Sequence, residues 1–306
     1  MKTILIKAFL LFGIAAIIVL PVAWKFNSGY MDPFYTRLTT DKAPSLIIGT
    51  SRAAQGLHPQ AFEELAPKMQ NFAFTLSHSP FGPAYLNLIK EKVEEVKDGL
   101  FIIAVDPWAV SSLTRQEAAP ENFRENKSFT SKINLVNVSP NYEYILRFYD
   151  EPLYHVFERK HRTMKLHKNG WLEVNVPVDS SVVAARIHTK VKDYKKYAEH
   201  GALSALRIQA LKETIEFLKT HGEVYLVRLP VAKEMSDIEN KYAPSFDTLA
   251  QRIANEYNIH YLNYFMESGE FLTTDGNHLY KEAGRAVSRR VAKDIARIMQ
   301  MANSKM

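Results

Sequence analysis

The chain has 306 residues, 46% of them hydrophobic and 24% charged, with a formal charge of +6 and no cysteine. Such values describe a globular chain long enough to bury a full core, and they exclude thiol catalysis, disulfides and cysteine-ligated metals. The basic residues are scattered apart from a denser run, Arg159-Lys160-His161-Arg162 through Lys168. No nucleic-acid motif accompanies that run, so a solvated basic face is expected there and no nucleic-acid partner.

Lys2 and Lys7 precede an uncharged stretch from Ala8 to Trp24, about 17 residues, which is the short end of what spans a bilayer. Lys7 can snorkel, and Trp24-Lys25 supply an aromatic and basic interfacial flank. Pro21-Val22-Ala23 is a poor cleavage site, followed as it is by Trp24, so residues 1–26 read as an uncleaved transmembrane signal anchor in preference to a cleaved signal peptide. Positive charge ahead of the segment sets residues 27–306 outside the cytoplasm, on a single-pass membrane protein.

After a polar connector from Asn27 to Lys42, the pattern predicts a short buried strand over Ser45–Ile48, running into Gly49-Thr50-Ser51-Arg52. A helix-compatible segment follows at Pro59–Leu65, then a second strand at Asn71–Phe74 and a helix over Pro83–Lys97, with Tyr85, Leu86, Ile89, Val93 and Val96 at helical spacing. Leu100–Val105 is the clearest buried strand, closed by Asp106-Pro107. Residues 108–200 break the rhythm, being polar and rich in Asn, Lys, Ser and Tyr. They read as an insertion lying over the site, with helices near Tyr142–Lys160 and a short strand at Trp171–Val176. The rhythm resumes with a helix at Leu203–Thr220, a strand at Glu223–Leu229, a helix at Phe246–Tyr257, a strand at Ile259–Phe265 and a closing helix at Lys281–Met299. Alternating strands and helices predict an α/β fold, an open parallel sheet with helices on both faces.

Two stretches carry chemistry. In an open parallel sheet the loop after the first strand lies at the carboxyl edge, where ligands bind, so Ser51 is exposed there beside backbone N–H groups. Thr274-Asp275-Gly276-Asn277-His278 stands before the last helix, at the same edge. A serine hydroxyl needs a base within hydrogen-bond reach, and the base needs an orienting carboxylate. Ser51, His278 and Asp275 can fill those three roles, with Gly276 permitting a tight turn. The plain readings are a turn serine and an Asp275 N-cap. His161, His167 and His188 have no metal-ligand spacing, and no cofactor motif is present.

Gly-x-Ser after the first strand, paired with Asp-x-x-His before the final helix, resembles the SGNH (GDSL-type) hydrolase superfamily. With Gly-Thr-Ser-Arg, an amino-terminal anchor and Val-Asp-Pro-Trp, the chain is most similar to the membrane-anchored bacterial branch concerned with teichoic-acid D-alanylation and alginate O-acetylation. The resemblance covers residues 43–110 and 200–300 and omits the insertion. It implies a flavodoxin-like three-layer sandwich and a serine acyl esterase or O-acyltransferase with Ser51, His278 and Asp275 as its triad. It also implies an acyl donor and a cell-surface glycan as substrates, with a membrane-bound O-acyltransferase as partner, on a bacterial inner or cytoplasmic membrane with the main domain extracytoplasmic (periplasmic). The family's oxyanion hole uses a glycine after strand two and an asparagine after strand three. Here Asn71-Phe72-Ala73-Phe74 and Asp106 stand at those places, so Arg52, Asn71, Ser77, Ser79 or Asp106 is expected to line the oxyanion or substrate site instead. The departures also leave room for a non-catalytic glycan-binding protein on the same fold.

Overall fold

A computed structural model describes residues 1–152, 154 and 163–304. Its centre is a five-stranded sheet of β1 (Leu46–Ile48), β2 (Gln70–Asn71), β3 (Gly99–Ala104), β8 (Gly222–Arg228) and β9 (His260–Asn263). The spatial order is β2-β1-β3-β8-β9 and every pairing is parallel. Chain order reverses between β1 and β3. In doubly wound sheets that reversal opens the crevice in which ligands bind, beyond the carboxyl ends of the strands.

Successive side chains along the central strands pack on opposite faces of the sheet, as the pleat requires. Leu46, Ile48, Phe101, Ile103, Val224 and Leu226 pack on one face against α4 (Pro83–Lys92), α7 (Ala205–Lys219) and α9 (Phe246–Glu256). Ile47, Leu100, Ile102, Ala104, Tyr225 and Val227 pack on the other against α3 (Ser51–Gly56) and α10 (Lys281–Asn303). Helices thus cover both faces of the parallel sheet.

Some boundaries move. The helix expected to reach Lys97 stops at Lys92, and Val93 then forms a parallel bridge with Ala43. The second strand is Gln70–Asn71 in place of Asn71–Phe74, because Phe72, Ala73 and Phe74 leave the ladder as buried loop. The Pro59–Leu65 segment supplies only a 3₁₀ turn over Pro59–Phe62. A helix not anticipated from the sequence, α8 (Lys233–Tyr242), lies between β8 and α9.

The 108–200 segment leaves and returns through one antiparallel contact, β4 (Ser111–Ser112) with β7 (Ala202–Leu203). It contains α5 (Tyr142–Arg147), the antiparallel pair β5 (Met164–Leu166) with β6 (Leu172–Val174), and α6 (Ser180–His200). Within the expected helix region up to Lys160 the described residues hold α5, and its portion at 153 and 155–160 lies outside the described residues, as do Arg159–Arg162 of the basic run. Helix α6 packs on α8, with Tyr194 joining Trp108, Met235, Ile238 and Phe265 in a small apolar cluster.

At the amino terminus α1 (Lys2–Asn27) and α2 (Tyr35–Thr39) follow one another. Phe26 at the end of α1 is fully buried in the core, while Phe9, Leu10, Leu11, Phe12, Ile17, Leu20 and Trp24 are exposed. The expected transmembrane helix is corrected here: among the described residues no helix is long and apolar enough to cross a membrane. The uncharged stretch between Lys7 and Lys25 is shorter than the roughly 20 residues that span a hydrocarbon core.

Candidate active site

Gly49 turns the chain at the carboxyl end of β1. Its φ is +142°, and a Cβ there would lie 2.8 Å from the Ala104 carbonyl oxygen and 3.2 Å from the Ala53 Cβ, so only glycine fits. Tyr85, fully buried, fixes this turn: its hydroxyl accepts from the Gly49 N–H at 3.1 Å and donates to the Phe72 carbonyl at 2.8 Å. Ser51 is the first residue of α3. Its amide and that of Arg52 belong to the first helical turn and have no acceptor within the helix.

The Thr274–Leu279 loop reaches the same point from the other end of the chain. Its carbonyls and amides close an antiparallel bridge between Thr273 and Leu279. Gly276 has φ +85°, and a Cβ there would meet Ile187 of α6 at 3.0 Å. The Asp275 Oδ1 accepts from the backbone N–H of Asn277 and of His278, each at 3.0 Å, which curls the loop so that both side chains meet the start of α3.

These two turns bring Ser51, His278 and Asp275 together. The Ser51 Oγ stands 2.8 Å from His278 Nε2, and His278 Nδ1 stands 2.9 and 3.0 Å from the two Asp275 oxygens. Nδ1 faces a carboxylate and so carries the proton, leaving Nε2 as the acceptor for the serine O–H. Burial pushes the Asp275 carboxyl up, but His278 and its hydrogen bond, with Lys190 at 3.6 Å, outweigh this and hold it well below the usual carboxylate range. Asp275 is therefore an anion at neutral pH.

Arg52 does not face solvent. It is 5% exposed, and its guanidinium donates to Asn277 Oδ1 from Nε at 3.0 Å and from Nη2 at 2.7 Å, while Nη2 also pairs with Glu239. Glu239, fully buried on α8, accepts in addition from Trp108 Nε1 at 2.9 Å and from Arg228 Nη2 at 3.0 Å. Arg228 completes the chain with Asp247 at 2.6 Å. The substrate contact expected of Arg52 is replaced by a strut between the serine turn and the histidine loop. Trp108 stacks on Tyr242 with ring centroids 4.5 Å apart, as core.

The other residues expected to line the site do not face the serine as predicted. Both amide hydrogens of Asn71 are used, toward the Ala53 and Leu57 carbonyls at 2.8 and 2.9 Å, so this side chain closes the end of α3 and does not face the serine. Asp106 accepts from the Ala109 N–H at 3.0 Å and from Thr50 Oγ1 at 3.3 Å, bracing the serine turn from below. The Ser79 hydroxyl donates to the Gly49 carbonyl at 2.7 Å, and Ser77 is exposed on the loop before it. His58 is buried against Trp171, and His78 bonds to Ser128. Among the described residues no cluster of three or more His, Asp or Glu side chains is placed to hold a metal ion.

Asn277, Glu239 and Lys190 were not among the residues singled out from the sequence. Asn277 carries the one available signal, a polar residue held between the aspartate and the histidine. An open groove of about 610 Å³ follows α6 down to Asp275, lined by Ser181, Val182, Ala185, Arg186, Thr189 and Lys190. The described part of the insertion thus forms one wall beside the relay.

No family model matches the chain, and no curated protein matches it. A solved crystal structure aligns over 85% of this chain and 99% of its own, at 9% identity and a TM-score of 0.38, which carries no argument about fold or function.

Proposed function

We propose that this chain is an SGNH-type serine acyl esterase or O-acyltransferase that acts on a cell-surface glycan. The observation that carries the reading is the continuous relay from Ser51 through His278 to an ionised Asp275, at 2.8 Å and 2.9 Å. The doubly wound strand order, with the serine after β1 and the histidine before the last helix, supports the same reading. In it, Ser51 Oγ attacks an acyl carbonyl while its proton passes to His278 Nε2. Asp275 holds the imidazole and stabilises the imidazolium that forms. The proton then goes to the departing alkoxide, leaving an acyl-serine that water or a glycan hydroxyl resolves. No cofactor enters this sequence.

In the transfer version an acyl donor, delivered by a membrane-bound O-acyltransferase, loads Ser51. The exposed apolar side of α1 would hold the domain at the membrane, with the domain on the periplasmic side. A second reading, a glycan-binding or assembly protein, draws on the two family oxyanion positions: the Asn71 amide is spent on structural bonds, and Asp106 only accepts.

The full-length chain, purified in detergent, should release chromophore from a short-chain aryl ester and take a fluorophosphonate on Ser51. Ser51→Ala should abolish both, and His278→Ala should suppress labelling. Labelling of a different serine, or hydrolysis that survives in Ser51→Ala, would refute the esterase reading. A folded chain with neither activity would favour the binding protein.

A further inference from the structure

The relay accounts for the nucleophile and the proton but leaves the oxyanion without a side-chain donor, and the surroundings of Asn277 address that gap. Asn277 is 2% exposed. A side-chain amide can be oriented either way round, but here the choice is forced. Arg52 is a donor on every nitrogen and directs Nε and Nη2 at one atom of the Asn277 amide, at 3.0 and 2.7 Å, so that atom is the oxygen. The NH₂ group then faces the relay, with Nδ2 at 3.3 Å from His278 Nε2, the same nitrogen that receives the serine O–H.

At rest, that N–H makes only a long bond to Nε2. When Ser51 Oγ bonds to the acyl carbon, the carbonyl π pair moves to oxygen and the serine proton moves to Nε2. The nitrogen then turns from acceptor to donor and can no longer take a bond from Asn277. The amide loses its resting partner in the same step that creates an anion beside it. An interaction that strengthens only as charge develops lowers the barrier to the chemical step without tightening substrate binding.

From this arrangement we infer that Asn277 is the oxyanion donor of the site, taking the place of the family positions occupied by Asn71 and Asp106, and that Arg52 is the positioning residue that keeps its NH₂ group turned toward His278 Nε2, the atom that also meets the serine. The inference rests on Ser51 being the nucleophile.

The test uses the full-length chain in detergent with p-nitrophenyl acetate and an aryl boronic acid, whose tetrahedral serine adduct mimics the intermediate. Asn277→Asp keeps the side chain's shape and its acceptor for Arg52 but has no N–H; Asn277→Ala removes the group. Both should lower kcat about 100- to 1000-fold with KM changed less than about threefold, and boronate affinity should fall in parallel. A merely structural role would predict near-normal boronate affinity in Asn277→Asp. Either folded variant retaining wild-type kcat and boronate binding overturns the assignment. Ser51→Ala, measured alongside, separates the two levels: full hydrolysis there removes the nucleophile itself, whatever the Asn277 variants do.

Discussion

Glu239 offers the sharpest test of how the site is held. Its two oxygens are divided between two buried cations: Oε1 receives Arg52 and Trp108, Oε2 receives Arg228. In Glu239→Gln the shape is kept, but the amide must aim its NH₂ at one of two guanidinium groups that can only donate. One arginine therefore loses its acceptor, and both lose a neutralising charge at a depth where Arg52 is 5% and Arg228 is 2% exposed. Breaking a buried pair by removing one charge costs about 3–5 kcal/mol. Asn277 still accepts from Arg52 and Asp247 from Arg228, which argues for the lower end, about 3 kcal/mol. For a chain of this size that corresponds to a melting temperature lower by about 5–10 °C. Thermal unfolding followed by circular dichroism reads it directly. Lys233→Ala, which opens the exposed i,i+4 pair with Asp237, should leave the melting curve where it was. A Glu239→Gln protein that melts within a degree of the parent would refute the claim that the two arginines depend on this carboxylate.

Gly49→Ala forces a side chain into the left-handed region against the Ala104 carbonyl, so it should cost about 1–3 kcal/mol in urea unfolding and displace Ser51 enough to lower kcat; unchanged stability would mean that the turn relaxes freely. Burial holds the His58 imidazole down at about 3, with Arg285 adding to the effect, and burial holds His78 at about 4. Both lie below the unfolded value of 6.5, so the unfolded chain binds more protons as pH falls below 6.5 and stability declines there, by at most about 1.4 kcal/mol per pH unit for each histidine. Replacing both with Gln should flatten the melting temperature between pH 6.5 and 4 relative to the parent, and an equal slope in the two proteins would count against the buried neutral state. Glu239 is displaced the other way: burial raises its carboxyl, but Arg52 and Arg228 outweigh that and lower it, so its stabilisation is present above 4.5 and is lost as pH falls through its lower folded value. The Glu239→Gln penalty should accordingly shrink in acid, and a penalty constant from pH 7 down to pH 3 would contradict it.

The central strands β1, β3 and β8 were legible because they are short, largely apolar and buried runs separated by helices, whereas β2 is only Gln70–Asn71. Ser51, Asp275 and His278 were legible because each stands beside a turn at the end of such a run. Glu239 was not. It sits on a ten-residue helix that is mostly polar, and in sequence a glutamate facing two arginines 187 and 11 positions away looks like any solvated glutamate. Arg52 was misread for the same reason, since an arginine after a turn gives no sign of which carboxylate will bury it. Asn71 was misread because its neighbours leave the sheet, so a side chain expected at the carboxyl edge is spent on capping carbonyls of α3. The reach of the anchor was overread because its uncharged stretch, between Lys7 and Lys25, falls short of a full span.

The Arg52–Asn277 contact joins residues 225 positions apart. A ribosome that has released the serine turn still has most of the protein to make before the histidine loop emerges, and domains begin to fold from the end synthesised first. Ser51 therefore goes without its hydrogen bond to His278 through nearly the whole of translation. It gains its base only when the last helix docks. Fragments ending before residue 278 would carry Ser51 without the histidine it bonds to, and a frameshift late in the message would leave the relay unassembled while keeping most of the sheet intact.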